Sequence, residues 1–142
     1  MADVQTYDPR QVVVIFGNTQ LSGFAEDKLI EIKPMGDGIV SIVGADGEVG
    51  RSMDPDQRCE YTITLLESSP SNDYLTQCWQ YDKDTAKGMQ SFMVKDLTGT
   101  TLVMSPKAWI KKMPSKTYHK TIKDIEWTIL AGSTAVNYGG NL

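Results

Sequence analysis

The sequence has no apolar run approaching the roughly 20 residues that a bilayer crossing requires, so no membrane-spanning helix is expected. Its opening, Met1 to Pro9, lacks the basic and apolar regions of a secretory signal, which predicts an intracellular site of synthesis. Cysteine is scarce. Cys59 and Cys78 stand without a CxxC or a Cys/His cluster, which argues against zinc and favours free thiols, a disulfide staying open. The one histidine, His119, lies in the basic stretch Lys116 to Lys120 with no marked partner for acid–base work. GxSxG, HExxH and P-loop patterns are all missing. Positive charge is in short supply as well. Fourteen Lys and Arg against eighteen Asp and Glu give a net charge of −4, a poor start for binding duplex phosphates. Asp37, Asp46, Asp54 and Asp56 lack the alternating spacing of a calcium loop and read as turn formers. Neither catalysis nor a cofactor or metal is expected.

Short β-branched and aromatic runs are abundant. Val12 to Phe16, Lys28 to Lys33, Ile39 to Val43, Cys59 to Leu66, Ser91 to Asp96, Thr101 to Ser105, Ala108 to Lys112 and Ile125 to Ala131 read as strands. Gly17-Asn18 is a hairpin signal. In Cys59 to Leu66, Tyr61, Ile63 and Leu65 alternate with Glu60, Thr62 and Thr64, and in the last strand Ile125, Trp127 and Ile129 alternate with Glu126 and Thr128. Each of these two strands therefore has one buried and one wet face. One helix is predicted from Ser71 to about Asp82, with Tyr74, Leu75, Cys78 and Trp79 as its apolar stripe. The length favours one domain over 1–142, with a short N-terminal arm (1–11) and a C-terminal tail (132–142). The expected class is mainly β, with many strands, one helix and a long projecting arm.

That loop is the distinctive element. Pro34 to Gln57 reads as a hairpin-like excursion turning at Gly44-Ala45-Asp46-Gly47, with Glu48 to Ser52 as its return arm. Excursions of this length within a compact domain are uncommon and often functional. Since its Asp and Gly residues offer no ligand or catalytic geometry, contact-making is the surviving role. Assembly through exposed strand edges and a monomer with its arm folded back stand about equal on these grounds.

Several stretches together resemble the tail tube proteins of contractile-tailed bacteriophages. They are Tyr7-Asp8-Pro9 with Val12 to Gly17, Val43 to Ser52, Ser68 to Leu75, Val94 to Thr101, Ala108-Trp109-Ile110 and Glu126-Trp127-Thr128. The resemblance covers roughly Tyr7 to Ala131 and implies a fold shared with type VI secretion tube proteins, a β-sandwich or barrel with one flanking α-helix and a long extended loop. It further implies hexameric rings stacked into a hollow tube in the virion tail, the conduit for DNA ejection. The implied partners are other copies of the chain, a sheath, baseplate and tail terminator proteins, with DNA passing through the lumen without specific binding. Pro34, Asp37, Gly44, Ala45, Asp46, Gly47, Glu48, Arg51, Ser52 and Asp54 then become candidates for contact between rings. Arg51 and Arg58 are candidates for pairing with acidic groups of the next ring, exposure to solvent being the other reading. Glu60, Thr62, Thr64, Glu126 and Thr128 are candidates for lining the lumen, where negative charge would repel DNA phosphates. The alternatives are a tube initiator, terminator or baseplate protein of related fold, or a ligand-binding β module using Trp109 and Tyr118.

Overall fold

The computed structural model describes residues 4–140. Ten strands and one α-helix follow in order, preceded by a single 3-10 turn at Pro9–Gln11. The strands are β1 (Val12–Phe16), β2 (Thr19–Gln20), β3 (Ile30–Pro34), β4 (Ile39–Val43), β5 (Val49–Met53), β6 (Cys59–Leu66), β7 (Gln90–Asp96), β8 (Leu102–Lys112), β9 (Asp124–Ala131) and β10 (Ala135–Asn137). The helix, α1 (Ser71–Thr85), lies between β6 and β7.

Eight strands form one sheet in the order β2-β1-β7-β8-β9-β6-β3, with β10 added to β8, and every pairing is antiparallel. The sheet curls but does not close as a barrel: among the described residues no ladder joins β2 to β3. Its two ends are tied by the chain that leaves β2. The Leu21 N–H donates to Val14 O, Leu66 N–H to Gly23 O and Ala25 N–H to Thr64 O. The β1–β2 hairpin turns on Gly17 and Asn18, with only Gly17 at positive φ (65°), as a type II′ turn requires.

The inner face of the sheet carries Val14, Phe16, Tyr61, Ile63, Leu65, Phe92, Val103, Trp127 and Ile129, all buried. The helix closes this face with Leu75 fully buried and Tyr74, Cys78 and Trp79 packed at the margin, the stripe that its periodicity predicts. It runs one turn further than expected and stops where Ala86 takes a left-handed conformation. Asn72 pins its first turn. The Asn72 side chain donates to Leu66 O and Glu67 O, and its Oδ1 accepts the indole N–H of the buried Trp127 at 2.9 Å. Deeper in, the Tyr61 ring stacks on Phe92 at 4.2 Å, and its hydroxyl meets Ser105 Oγ at 2.6 Å.

Two regions differ from the sequence reading. First, Leu102–Lys112 is one strand where two, Thr101 to Ser105 and Ala108 to Lys112, are expected. Pro106 sits exposed within it, near the point where the β7–β8 register shifts, a place that tolerates a missing N–H. Second, the C-terminal segment is not a loose tail: β9 ends at Ala131, leaving an edge of β8 that β10 fills through Ala135↔Met104 and Asn137↔Leu102. Between β8 and β9, Met113 to Lys123 form a long, mostly exposed loop. Of the N-terminal arm, residues 1–3 lie outside the described residues. Its end is shaped by Asp8, which accepts from the Arg10 backbone and pairs with its guanidinium at 2.9 Å.

Candidate assembly interface

The Pro34–Gln57 excursion is an isolated two-stranded ribbon, β4 against β5, paired with no other strand among the described residues. Five paired residues per strand give it a reach of roughly 17 Å beyond its root. At the tip, Gly44 N–H donates to Glu48 O, Gly47 N–H to Gly44 O, and Glu48 N–H to the Asp46 carboxylate, with Gly47 at φ 87°. Gly44, Ala45, Asp46, Gly47 and Glu48 thus form the exposed end of the ribbon, as the turn chemistry predicts.

The root is stiffened by Asp54. Its carboxylate accepts the backbone N–H groups of Asp37 (2.8 Å) and Asp56 (3.0 Å), while its own N–H donates to Gly38 O. Those two donors hold its carboxyl below the ordinary value of 3.8. Asp56 pairs with Arg58 at 2.9 Å, which lowers the Asp56 carboxyl in turn. Pro34 pairs with Cys59 in the main sheet, and a side chain at Gly36 would strike the Asp56 carbonyl at 2.3 Å. Pro34, Asp37 and Asp54 are therefore root residues that aim the ribbon, and Arg58 has an intramolecular partner.

Residues directly opposite in an antiparallel pair share a face. One ribbon face carries Ile39/Met53, Ser41/Arg51 and Val43/Val49; the other carries Val40/Ser52 and Ile42/Gly50. Every one of these residues is exposed, Ile42 at 72% and Val49 at 69%. Sequence reasoning named mostly polar and Gly residues of this excursion and did not single out its exposed apolar ones, Ile39, Val40, Ile42, Val43, Val49 and Met53. The available signal was the run Ile39-Val40-Ser41-Ile42-Val43, apolar on both faces, where a half-buried strand would alternate.

The second candidate group lies on the outer face of the main sheet, turned away from the helix. Register brings Thr62 opposite Thr128 and Thr64 opposite Glu126, with Glu60 two residues along. Glu31 and Lys33 join this face from β3, opposite Thr62 and Glu60, and Asp124 joins it opposite Leu66. Glu126, Glu31 and Asp124 are exposed, and Glu60, Thr62 and Thr128 half-buried. Thr64 departs from the expectation of a wet face. It is only 3% exposed, since the Ala25–Leu29 segment hydrogen-bonds to its backbone on both sides, and its Oγ1 has no hydrogen-bond partner among the described residues. His119 and Tyr118 are exposed on the Met113–Lys123 loop, whereas Trp109 is half-buried opposite Leu130. The cysteines are free.

This curled sheet with its helix is a fold shared with tube-capping components of contractile machines. The chain aligns over 96% of its length with the anti-feeding prophage tube terminating cap (94% of that chain, TM-score 0.64, 12% identity). It aligns over the same share with the sheath/tube terminator of the extracellular contractile injection system PVC (100% of that chain, TM-score 0.61, 11% identity). In sequence it is similar to structural protein ORF10 of Pseudomonas phage KPP10, 29% identical over 144 residues, 96% of this chain and 83% of the relative. The chain belongs to the bacteriophage PhiTE tail tube protein family, whose model matches residues 15–139. It is a phage tail tube-like structural protein of the virion tail. No helix among the described residues is long and apolar enough to cross a membrane.

Proposed function

We propose that the chain is the repeating subunit of the inner tail tube, assembling into hexameric rings that stack around a lumen through which DNA is ejected. The observation that carries this reading is the β4–β5 ribbon. A ribbon with Ile39, Ile42, Val43, Val49 and Met53 exposed buries nothing within its own chain, so its apolar surface calls for cover by another one. Its stiff root fits an arm that reaches a neighbouring ring. The polar outer face of β3, β6 and β9, carrying Glu31, Glu60, Asp124 and Glu126, suits a lumen wall that repels phosphate. In this orientation Thr62 and Thr128 line the lumen with them, Thr64 lies beneath, and the helix faces outward toward a sheath. The subunit is made in the host cytoplasm and meets the baseplate and tail terminator at the two tube ends. The whole described chain acts as one domain in this role, without catalysis.

The shared fold of two tube-capping proteins favours one second reading, a terminator or initiator that forms a ring without elongating. Negative-stain microscopy of purified protein, alone and seeded with a baseplate complex, separates them. Extended tubes support the tube subunit, finite rings the cap, and monomers at all concentrations would remove both.

A further inference from the structure

The ribbon and the most basic segment of the chain lie at opposite poles of the molecule. The eight paired residues of β6 and β9 run from Cys59↔Ala131, beside the ribbon root, to Leu66↔Asp124, a span of roughly 25 Å. At the far pole the β8–β9 loop crosses the end of the sheet, where Glu67 N–H donates to Lys123 O at 2.9 Å. From Lys111 to Lys123 there are five lysines and His119 but no Asp or Glu, although carboxylates outnumber basic residues in the chain as a whole. Tyr118 is 85% exposed and Ile122 65% exposed on the same loop. Beneath it lies an open groove of about 430 Å³. One wall is Met113, Pro114 and Lys116, the floor includes Trp127, and the other wall carries Glu67 and Asp73.

Resting on the ring-stacking reading above, we infer that this pole is the receptor for the ribbon of a second copy. The chemistry matches at two points. The ribbon tip presents Asp46 and Glu48, which suit Lys116 and Lys120. Arg51, further down the ribbon, suits Glu67 and Asp73. The apolar ribbon face finds Met113 in the groove wall and the exposed Tyr118 and Ile122 on the same loop. Because the ribbon root and the groove lie at opposite ends of one ladder and every residue of the ribbon strands is exposed, a chain does not fill its own groove. The contact is head-to-tail, and such a contact propagates rather than closing on a pair. Opposite charges at each end also fix polarity, since two ribbon poles or two loop poles brought together would repel.

Charge exchange in the full-length protein tests this. Lys116→Glu with Lys120→Glu, and separately Asp46→Lys with Glu48→Lys, should each raise the protein concentration needed for stacking by on the order of tenfold. All four residues are exposed, so circular dichroism and the melting temperature should stay at wild-type values. A chain carrying both sets of substitutions should stack again near the wild-type concentration. If wild-type tubes form and the combined variant stacks no better than the weaker single set, the receptor assignment fails while the tube subunit stands. If the loop set alone leaves stacking unchanged, the loop serves another partner, such as an acidic sheath surface, and the assignment is likewise overturned. If wild-type protein never stacks, even when seeded, the underlying reading fails and this one with it.

Discussion

Replacing Val43 and Val49 by threonine isolates what the ribbon contributes. The two face each other across the last β4–β5 pair, 64% and 69% exposed. Threonine keeps the β-branched shape, so the ribbon should persist. In the free chain both hydroxyls stay in water, and a surface change of this kind moves stability by no more than about 0.5 kcal/mol. Covered by a neighbour, each valine loses a methyl contact and each new hydroxyl must give up water. A cost near 1 kcal/mol per site is a conservative estimate for such a loss. Two sites give about 2 kcal/mol per contact, or roughly a thirtyfold weaker association. Light scattering against protein concentration measures the assembly threshold, and thermal melting of dilute protein measures the free chain. The expected result is a higher threshold at an unchanged melting temperature. A threshold that does not move would refute cover by another chain, and a melting temperature lowered by several degrees would show the ribbon packed on its own domain.

Three further outcomes follow from particular contacts. Asn72→Ala orphans the Trp127 indole N–H and frees two carbonyls, a loss of about 2–4 kcal/mol. In a domain near this size that is a fall in melting temperature of roughly 5–15 °C. In a double-mutant cycle with Trp127→Phe, simple additivity would deny the coupling. At the ribbon root, Asp54 has a carboxyl pKa held below its unfolded value, so the stabilisation is present above about pH 4 and is lost as pH falls through the lower folded value. Hydrogen exchange at the Asp37 and Asp56 amides should accelerate in that acid window relative to the core, and Asp54→Ala should show the same acceleration at neutral pH; equal protection in both proteins would count against the staple. Among the thiols, Cys59 is buried, with its pKa pushed up by that burial, and Cys78 is half-buried. Alkylation of the folded chain should reach Cys78 first and Cys59 only on unfolding, which mass spectrometry of labelled peptides reads directly.

Local chemistry settled a good deal in advance. Alternation in Cys59 to Leu66 and Ile125 to Ala131 marked the side chains that face the core, because a strand has a period of two, although it did not foretell the burial of Thr64. The helix was legible from its stripe of Tyr74, Leu75, Cys78 and Trp79. The turn at Gly44 to Gly47 was legible from residues that accept its backbone angles. Pairing partners were not, since antiparallel strands far apart in sequence carry no local mark of which edge they join. Only the folded chain put β3 beside β6 and so brought Glu31 onto the face of Glu60 and Thr62. Only there did Ala25 to Leu29 come down on Thr64 and take it out of water. The tertiary structure also showed the ribbon to be bare on both faces, which adds exposed Ile, Val and Met to the Asp and Gly residues at its surface. Exposure depends on what the rest of the chain leaves uncovered, and that is a property of the whole packing rather than of any stretch of residues.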